Sequence, residues 1–532
     1  MDGHVSNALA DGAPRGDGAD TEFELKLTGS NEAVAAAFAA AGKDAARTAE
    51  RRLVSVYFDT PDRRLAAKGF TLRIRDRGDG FTQTLKADRT APARLELETV
   101  VPDARPDLGA LGLGPLRDAL GAVFPEELEA CFTTDVLRRT KLVAEVDALG
   151  RSSEVEIAHD RGRWLLPDGR EAPLNEIEIE RKAGDRQAVF ELAKVLAAGG
   201  ATLLVVRSKA ARGHALADPR PPAGTKADRV RLDRGMALGH ALGAVFENCF
   251  GQWYANHDAA FEGRSPEGLH QLRVGLRRLR SVLTCFGSHL APTRLAWLKD
   301  EARAVMTALG PARDLDVFTA ELLPPVLDAW PNDAALGELC STIALTRSEA
   351  YDEVRAMLAS RRYTEFLLDL GAWIDRRGWW AEADRLGQER FEAPLGPFAD
   401  ALLAKRAKVA RKRGKGFAKL DPAARHEVRI ALKKLRYAID FTRDLYPAKR
   451  VKPYLAHLAR LQDAFGHMND QAQAQALLDR LAAGDGSGRL AVARGLVLGW
   501  YAHAAAGNEV ELVADWQAFK STEPFWPEAS PC

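Results

Sequence analysis

The chain has 532 residues, 46% of them hydrophobic and 28% charged, with 75 basic and 74 acidic residues for a net charge of +1. This length favours two to four domains, and the composition excludes a disordered chain, a collagen and a disulfide-stapled miniprotein. The charge is unevenly spread: residues 1–217 hold 31 basic and 35 acidic residues, and the remainder holds 44 and 39. Such a split suggests an acidic site in the first half and an anion-binding surface in the second.

Residues 1–20 are rich in Gly, Ala and Asp and read as a disordered tail. They lack the basic and apolar stretches of a secretory signal. From Thr21 to residue 216, period-2 stretches dominate: TEFELKL, RLVSVYF, FTLRIRDR, FTQTLKA, RLELETV, TKLVAEVD, SSEVEIAHD and NEIEIERK. Helical periodicity interrupts them at NEAVAAAFAAAG and from Asp185 to Gly199. Eight such strands predict an antiparallel sheet curled into a barrel. Residues 217–228 are rich in Pro, Ala and Gly and read as a linker. From 229 to 515 the pattern is helical and predicts an all-α region of bundles, with a Pro-broken tail at 516–532. No apolar run reaches the 18 residues of a transmembrane helix, so no membrane partner is expected. The five cysteines are scattered and form no CxxC, which favours a reducing, cytoplasmic setting and argues against a Cys zinc site.

The strands carry the chemistry. Residues two apart share a strand face, so Glu22, Glu24 and Lys26 point together, as do Arg73 with Arg75, Glu96 with Glu98, Glu154 with Glu156, and Glu176, Glu178 and Glu180. Lys86 and Arg94 add positive charge. The opposite faces carry Phe23, Leu25, Leu72, Ile74, Val155, Ile157, Ile177 and Ile179. On one strand, such a polar face simply meets water. Repeated on every strand of a closed barrel, it would line a charged tunnel. Its like charges would need neutralising: a divalent cation on the carboxylates, a polyanion on the Arg/Lys set. Oxygen-rich ligation favours Mg²⁺ or Mn²⁺ over zinc. No GxxxxGK[ST] loop is present.

The series EFELK, VYFDTPDRRLAAKGFTLRIR, TLKA, RLELE, TDVLRR, EIAHDRG, NEIEIERKAGD and RSKAARG resembles the CYTH superfamily, the triphosphate tunnel metalloenzymes, over residues 21–216. The resemblance implies an eight-stranded tunnel acting on triphosphate compounds with a divalent metal. It implies a catalytic set of Glu22, Glu24, Lys26, Arg73, Arg75 and Lys86. Metal binding would fall to Glu22, Glu24, Glu96, Asp160, Glu176, Glu178 and Glu180. Lys26, Arg73, Arg75, Lys86, Arg94, Arg138 and Lys209 would grip phosphates. Whether Arg138 or Arg139 points inward is a parity question that a bulge would reverse, and Lys209 reads equally as a surface lysine beside a linker. His159 is expected to face outward.

The helical half contains a repeat. HQLRVGLRRLRSVLTCF begins at His270 and is followed by LGPARDLDV; HEVRIALKKLRYAIDF begins at His426 and is followed by LQDAFGHMND. His270 to Asp314 and His426 to Asp470 each span 44 residues, at an offset of 156. This implies a duplicated helical bundle with halves at 229–390 and 391–515. At about 100° per residue, His270, Arg273, Arg277 and Arg280 form one stripe, repeated by His426, Arg429, Lys433 and Arg436. Arg278 and Lys434 flank the stripes. Arg–Asp pairs to Asp314, Asp316 and Asp470 would account for single contacts, but not for a cationic stripe occurring twice. The eight basic residues between Lys405 and Lys419, without an acid, read equally as a solvated face or as part of an anion site.

HxxRxxxRRLR with LGxxRDLDV, then HxxRxxxKKLR with LQDxxGxxND, resembles the CHAD domain. That resemblance implies two four-helix bundles whose basic groove binds inorganic polyphosphate through His270, Arg273, Arg277, Arg280, His426, Arg429, Lys433 and Arg436. No nucleic-acid-reading module is visible, so no specific nucleic acid is expected. The combined reading is a metal-dependent inorganic triphosphatase joined to a polyphosphate-binding domain. The alternatives are a related tunnel enzyme on nucleoside or thiamine triphosphate, a cyclase, or a non-catalytic polyphosphate sensor.

Overall fold

The computed structural model describes residues 22–41, 48–78, 80–87, 93–112, 120, 123–146, 150–218, 224–483, 488–505 and 508–527. The expected tail at 1–20, part of the expected linker and the last five residues lie outside them. The chain forms two compact units: residues 1–223 together with 358–375, and residues 224–357 together with 376–532.

The first unit is built on strands β1 (Glu22–Thr28), β2 (Thr48–Asp59), β3 (Phe70–Asp76), β4 (Phe81–Ala87), β5 (Ala93–Val101), β6 (Glu129–Val146), β7 (Ser152–Leu165), β8 (Glu171–Ala183) and β9 (Leu203–Leu204). Their order is β5-β4-β3-β2-β6-β7-β8-β1-β9. The antiparallel pairing of β1 with β5 closes eight strands into a ring, and β9 adds two residues beside β1. The eight-stranded barrel is therefore present, with one short strand more than the alternation revealed.

The barrel is inside out. Its charged faces point inward, and Phe23, Leu25, Val155, Ile157, Ile177 and Ile179 are buried on the outer face. Helices α1 (Asn31–Ala40) and α2 (Gln187–Ala198) cover that face over β1, β7 and β8. Each fully buried branched side chain contributes about 1.5–3 kcal/mol. A second layer, Phe58, Leu65, Phe70, Leu72, Ile74, Leu85 and Val101 with Leu108 and Leu111, covers β3 and β4. Helix α3 (Lys209–Ala217) rests on β6 through Gly213, where an added Cβ would fall 2.3 Å from the Phe132 ring. The helix Arg361–Asp375 also belongs to this unit: Lys194 Nζ lies 3.2 Å from Asp369 Oδ1, and Gln187 Nε2 donates to Ala372 O at 3.1 Å.

The second unit is helical, and its helix boundaries carry the repeat. Helix α4 runs Pro266–Phe286 and α5 runs Pro422–Thr442, each boundary 156 residues apart. Each begins with proline after a side-chain cap, Ser265 or Asp421, where its missing N–H costs nothing. Both are strongly amphipathic; Leu272, Leu276, Leu279 and Leu283 of α4 are fully buried. The copies then diverge. In the first, a helix ends at Ala308 and another begins at Gly310, with Pro311 in its first turn. In the second, α6 (Ala448–Ala482) runs unbroken for 35 residues. The helix Asn508–Ser521 enters the stretch expected to be a tail, because Phe519, Phe525 and Trp526 pack around Tyr454 and Trp516 stacks on Phe417. No helix among the described residues is long and apolar enough to cross a membrane.

Candidate functional site

The barrel encloses a cavity of about 280 Å³. Lys26, Arg73, Arg75, Lys86, Arg138, Lys182 and Lys209 line it beside Glu24, Glu98, Glu156, Asp160, Glu178 and Glu180. Strand register explains the grouping. Glu24 is opposite Glu180, and Glu180 is opposite Glu156, so three carboxylates form a row across β1, β8 and β7. Lys26 is opposite Glu178, Asp160 is opposite Glu176, and Arg138 is opposite Asp160. Arg73 and Arg75 stand on β3 with Lys86 on neighbouring β4. Most of the acids thus crowd one wall, where Lys26, Arg138, Lys182 and Lys209 pair with them, and Arg73, Arg75 and Lys86 stand on the other.

Glu24 and Lys26 are both buried and form a direct ion pair. Lys182 Nζ bridges Glu180 at 2.8 Å and Glu156 at 3.6 Å. Arg73 crowds Arg75, and burial adds to the effect, so the Arg75 guanidinium is pulled down to about 10. An anion between them would offset that repulsion. Arg138 resolves the parity question. It faces inward and grips Asp160 with Nε–Oδ1 at 2.7 Å and Nη2–Oδ2 at 2.6 Å, while exposed Arg139 reaches Glu50 at 3.7 Å.

Asp160, Glu176 and Glu178 each bring a carboxylate oxygen to one point, all within 4.8 Å of one another. Burial opposes the charge of Asp160 and of Glu178, yet the cations around them prevail. Lys209 and then Arg138 hold both carboxyls below the ordinary range, Glu178 well below it. Burial likewise opposes the Lys209 charge, but Asp160, Glu176 and Glu178 hold its ammonium above the ordinary lysine range. Lys209 is thus buried in the carboxylate cluster, not set at the surface.

Glu22, Arg94 and Glu96 are placed by backbone register alone, Glu22 opposite Arg94 and Glu96 opposite Lys86; their side chains lie outside the described residues. His159 turns away from the cavity, its Nε2 2.9 Å from Asn175 Oδ1 and its ring against Phe38. Sequence reasoning missed Ser55, Tyr57, Lys182 and Arg212. Arg212 pairs with Glu176 from the same helix as Lys209, and their spacing of three residues was the available signal.

In the helical unit, a cavity of about 370 Å³ is lined by Arg277, Lys433, Arg436, Tyr437, Asp440, Gln462 and Asp463. One cation comes from α4 and two from α5, so the two repeat stripes converge here. Burial draws Arg273 down to about 10, Asp314 opposing, and its Nη1 donates to Met306 O at 3.0 Å. Burial, then Arg313, also lowers His270. Arg280 and His426 stand exposed further along the stripes, and Arg429 is partly buried. Asp316 does not serve the stripes; it is buried against Arg347 Nε at 2.8 Å and Tyr351 OH at 2.7 Å. The side chain of Asp470 lies outside the described residues.

The two units have counterparts among known families. Residues 20–213 match the CYTH domain and residues 244–479 match the CHAD domain. The chain thus holds a CYTH domain followed by a CHAD domain. Over 173 residues it is 30% identical to the inorganic triphosphatase of Haemophilus influenzae, which takes in 31% of this chain and 46% of that protein. The chain thus spans about half the length of that relative. It is 27% identical over 420 residues to an uncharacterized protein of Mycobacterium tuberculosis, covering 73% of this chain and 75% of that one. The CHAD domain of the plant Ricinus communis is similar at 31% identity and a TM-score of 0.49, covering 57% of this chain and 98% of that one.

Proposed function

We propose that the barrel hydrolyses inorganic triphosphate to pyrophosphate and phosphate with Mg²⁺ or Mn²⁺, and that the helical unit binds inorganic polyphosphate. The observation that carries the first part is the divided cavity. Arg73, Arg75 and Lys86 offer cations to a chain of phosphates, with the carboxylates and the cations paired to them on the facing wall. Among the described lining residues Tyr57 alone is aromatic, and its ring is already stacked on Phe132 at 4.6 Å. That supports a bare phosphate chain over a nucleoside or thiamine ester, whose ring needs an open face.

Asp160, Glu176 and Glu178 fit a hard divalent cation in donor chemistry and convergence. Glu24 and Glu180 lie on the same wall and would complete the set. The metal, when bound, neutralises phosphoryl oxygens on which charge develops. The remaining work falls to the chain. Arg73, Arg75 and Lys86 orient the triphosphate and spread its charge. Lys26, held by Glu24, faces the same space. Cavity carboxylates accept hydrogen bonds from the attacking water and take its proton as the P–O–P bond breaks. The polyphosphate reading rests on the convergence of Arg277, Lys433 and Arg436 in one groove.

Phosphate release from triphosphate, ATP, thiamine triphosphate and long polyphosphate tests the substrate, and the expected result is rapid release from triphosphate alone. Comparable rates with ATP would move the assignment to nucleotides.

A further inference from the structure

Lys209 opens α3, whose N-cap Ser208 accepts from Ala211 N at 3.1 Å. Its ammonium stands 2.7 Å from Asp160 Oδ2, 2.5 Å from Glu176 Oε1 and 2.7 Å from Glu178 Oε1. These are the three carboxylates that converge as a cation site. Arg138 contacts Asp160 and Glu178, and Arg212 contacts Glu176. Three carboxylates therefore meet three cations, and the cluster is neutral as it stands. A divalent cation added to it would leave two uncompensated positive charges in a buried place, beside a wall that already holds Arg73 and Arg75. Either a resident cation leaves or a polyanion enters at the same time.

The three resident cations differ in freedom. Arg138 is fixed to Asp160 by two parallel bonds. Arg212 lies over the Trp164 ring at 4.9 Å. Lys209 presents a single point charge on a flexible four-carbon stem. It also lines the cavity shared with Arg73, Arg75 and Lys86, so its ammonium has somewhere to go without moving its helix.

We propose that Lys209 is a built-in counter-cation: it holds Asp160, Glu176 and Glu178 together in the metal-free protein, and transfers from them to the phosphates when a divalent cation enters with triphosphate. This rests on the triphosphatase reading of the barrel. The consequence is coupling, with the cation binding weakly to the protein alone and tightly beside triphosphate.

The test is Mn²⁺ binding to the full-length protein, followed through the electron paramagnetic resonance of free Mn²⁺, without substrate and with non-hydrolysable imidotriphosphate. Lys209→Met should bind Mn²⁺ at least tenfold more tightly than the unaltered protein in the absence of triphosphate, and should lose most of the gain that imidotriphosphate brings. Lys209→Arg keeps the charge and should stay close to the unaltered protein. Glu178→Gln should weaken Mn²⁺ binding in every background. Unchanged or weaker binding in a folded Lys209→Met protein overturns the proposal, as does insensitivity to Glu178→Gln. If Lys209→Met does not fold, Lys209→Gln carries the same expectation. The substrate-free arm reads Lys209 without any turnover, so failure of the triphosphatase reading would show separately, as absence of phosphate release.

Discussion

Arg138 and Asp160 are register partners on β6 and β7 and close a two-pronged ion pair inside the barrel. Asp160 is 1% exposed. Removing the guanidinium would take its two-pronged partner from the buried Asp160 and leave Lys209 as the cation beside it; losing one partner of a buried ion pair costs up to about 3–5 kcal/mol. Arg138→Ala should lower the melting temperature of the barrel unit markedly and reduce triphosphate hydrolysis at least tenfold. Arg139→Ala, one residue on and facing out, should shift melting by no more than a surface substitution does. Equal effects of the two on melting would contradict the inward assignment of Arg138.

Glu24→Gln preserves shape and removes a charge from the acidic wall. Triphosphate turnover should fall at least a hundredfold while long polyphosphate still binds the helical unit. Fluorescence-detected polyphosphate binding and phosphate release, measured on one preparation, check both halves of this expectation. Undiminished hydrolysis would remove Glu24 from the metal and catalytic sets.

Charge reversal at Arg277 and Lys433 together should weaken long polyphosphate binding at least tenfold, because the two residues line one groove from opposite repeat copies. The single reversals should each weaken it less. Loss of triphosphate hydrolysis in parallel would show that both activities use a single site.

The same groove carries an acid. Burial raises the Asp440 carboxyl above its ordinary value, with Arg436 (Nε at 3.2 Å), Arg443 and Arg278 opposing that rise. A raised carboxyl pKa means that protonation occurs at a higher pH than in the unfolded chain, and each proton taken removes a negative charge facing a polyanion. Polyphosphate affinity should therefore rise as pH falls from neutral into the Asp440 titration. His270, its pKa lowered by burial and then by Arg313, also gains charge as pH falls and adds to the trend. Asp440→Asn should tighten binding at neutral pH and make the profile flatter. A profile identical in the variant would assign the pH dependence elsewhere.

The barrel was legible because charge alternates at the strand period on every strand, and periodicity decides which residues share a face. It could not decide which face is inside: Phe23, Leu25 and Ile177 would look the same around an ordinary apolar core. The helices α1 and α2 that cover them settle the matter. Glu154 and Glu156 looked equivalent, yet a register shift between Glu154 and Val155 leaves Glu154 exposed and Glu156 lining the cavity. The position of Lys209 was hidden because it depends on where α3 docks, a long-range contact that Gly213 permits. In the helical half the offset of 156 residues between His270 and His426 recurs in both boundaries of α4 and α5, whose starts are marked by a polar cap and proline. Asp316 was misjudged because its partners, Arg347 and Tyr351, sit on a helix outside the repeated motif.

The central claim is that the divided cavity of the barrel is a metal-dependent triphosphatase site. Its most direct measurement is phosphate release from inorganic triphosphate by the purified full-length protein, with Mg²⁺, with Mn²⁺ and with chelator. Release is expected with either metal, with none in chelator and none above background for Glu24→Gln. No release under any condition, alongside tight polyphosphate binding, would contradict it and leave a polyanion-binding protein whose barrel does not catalyse.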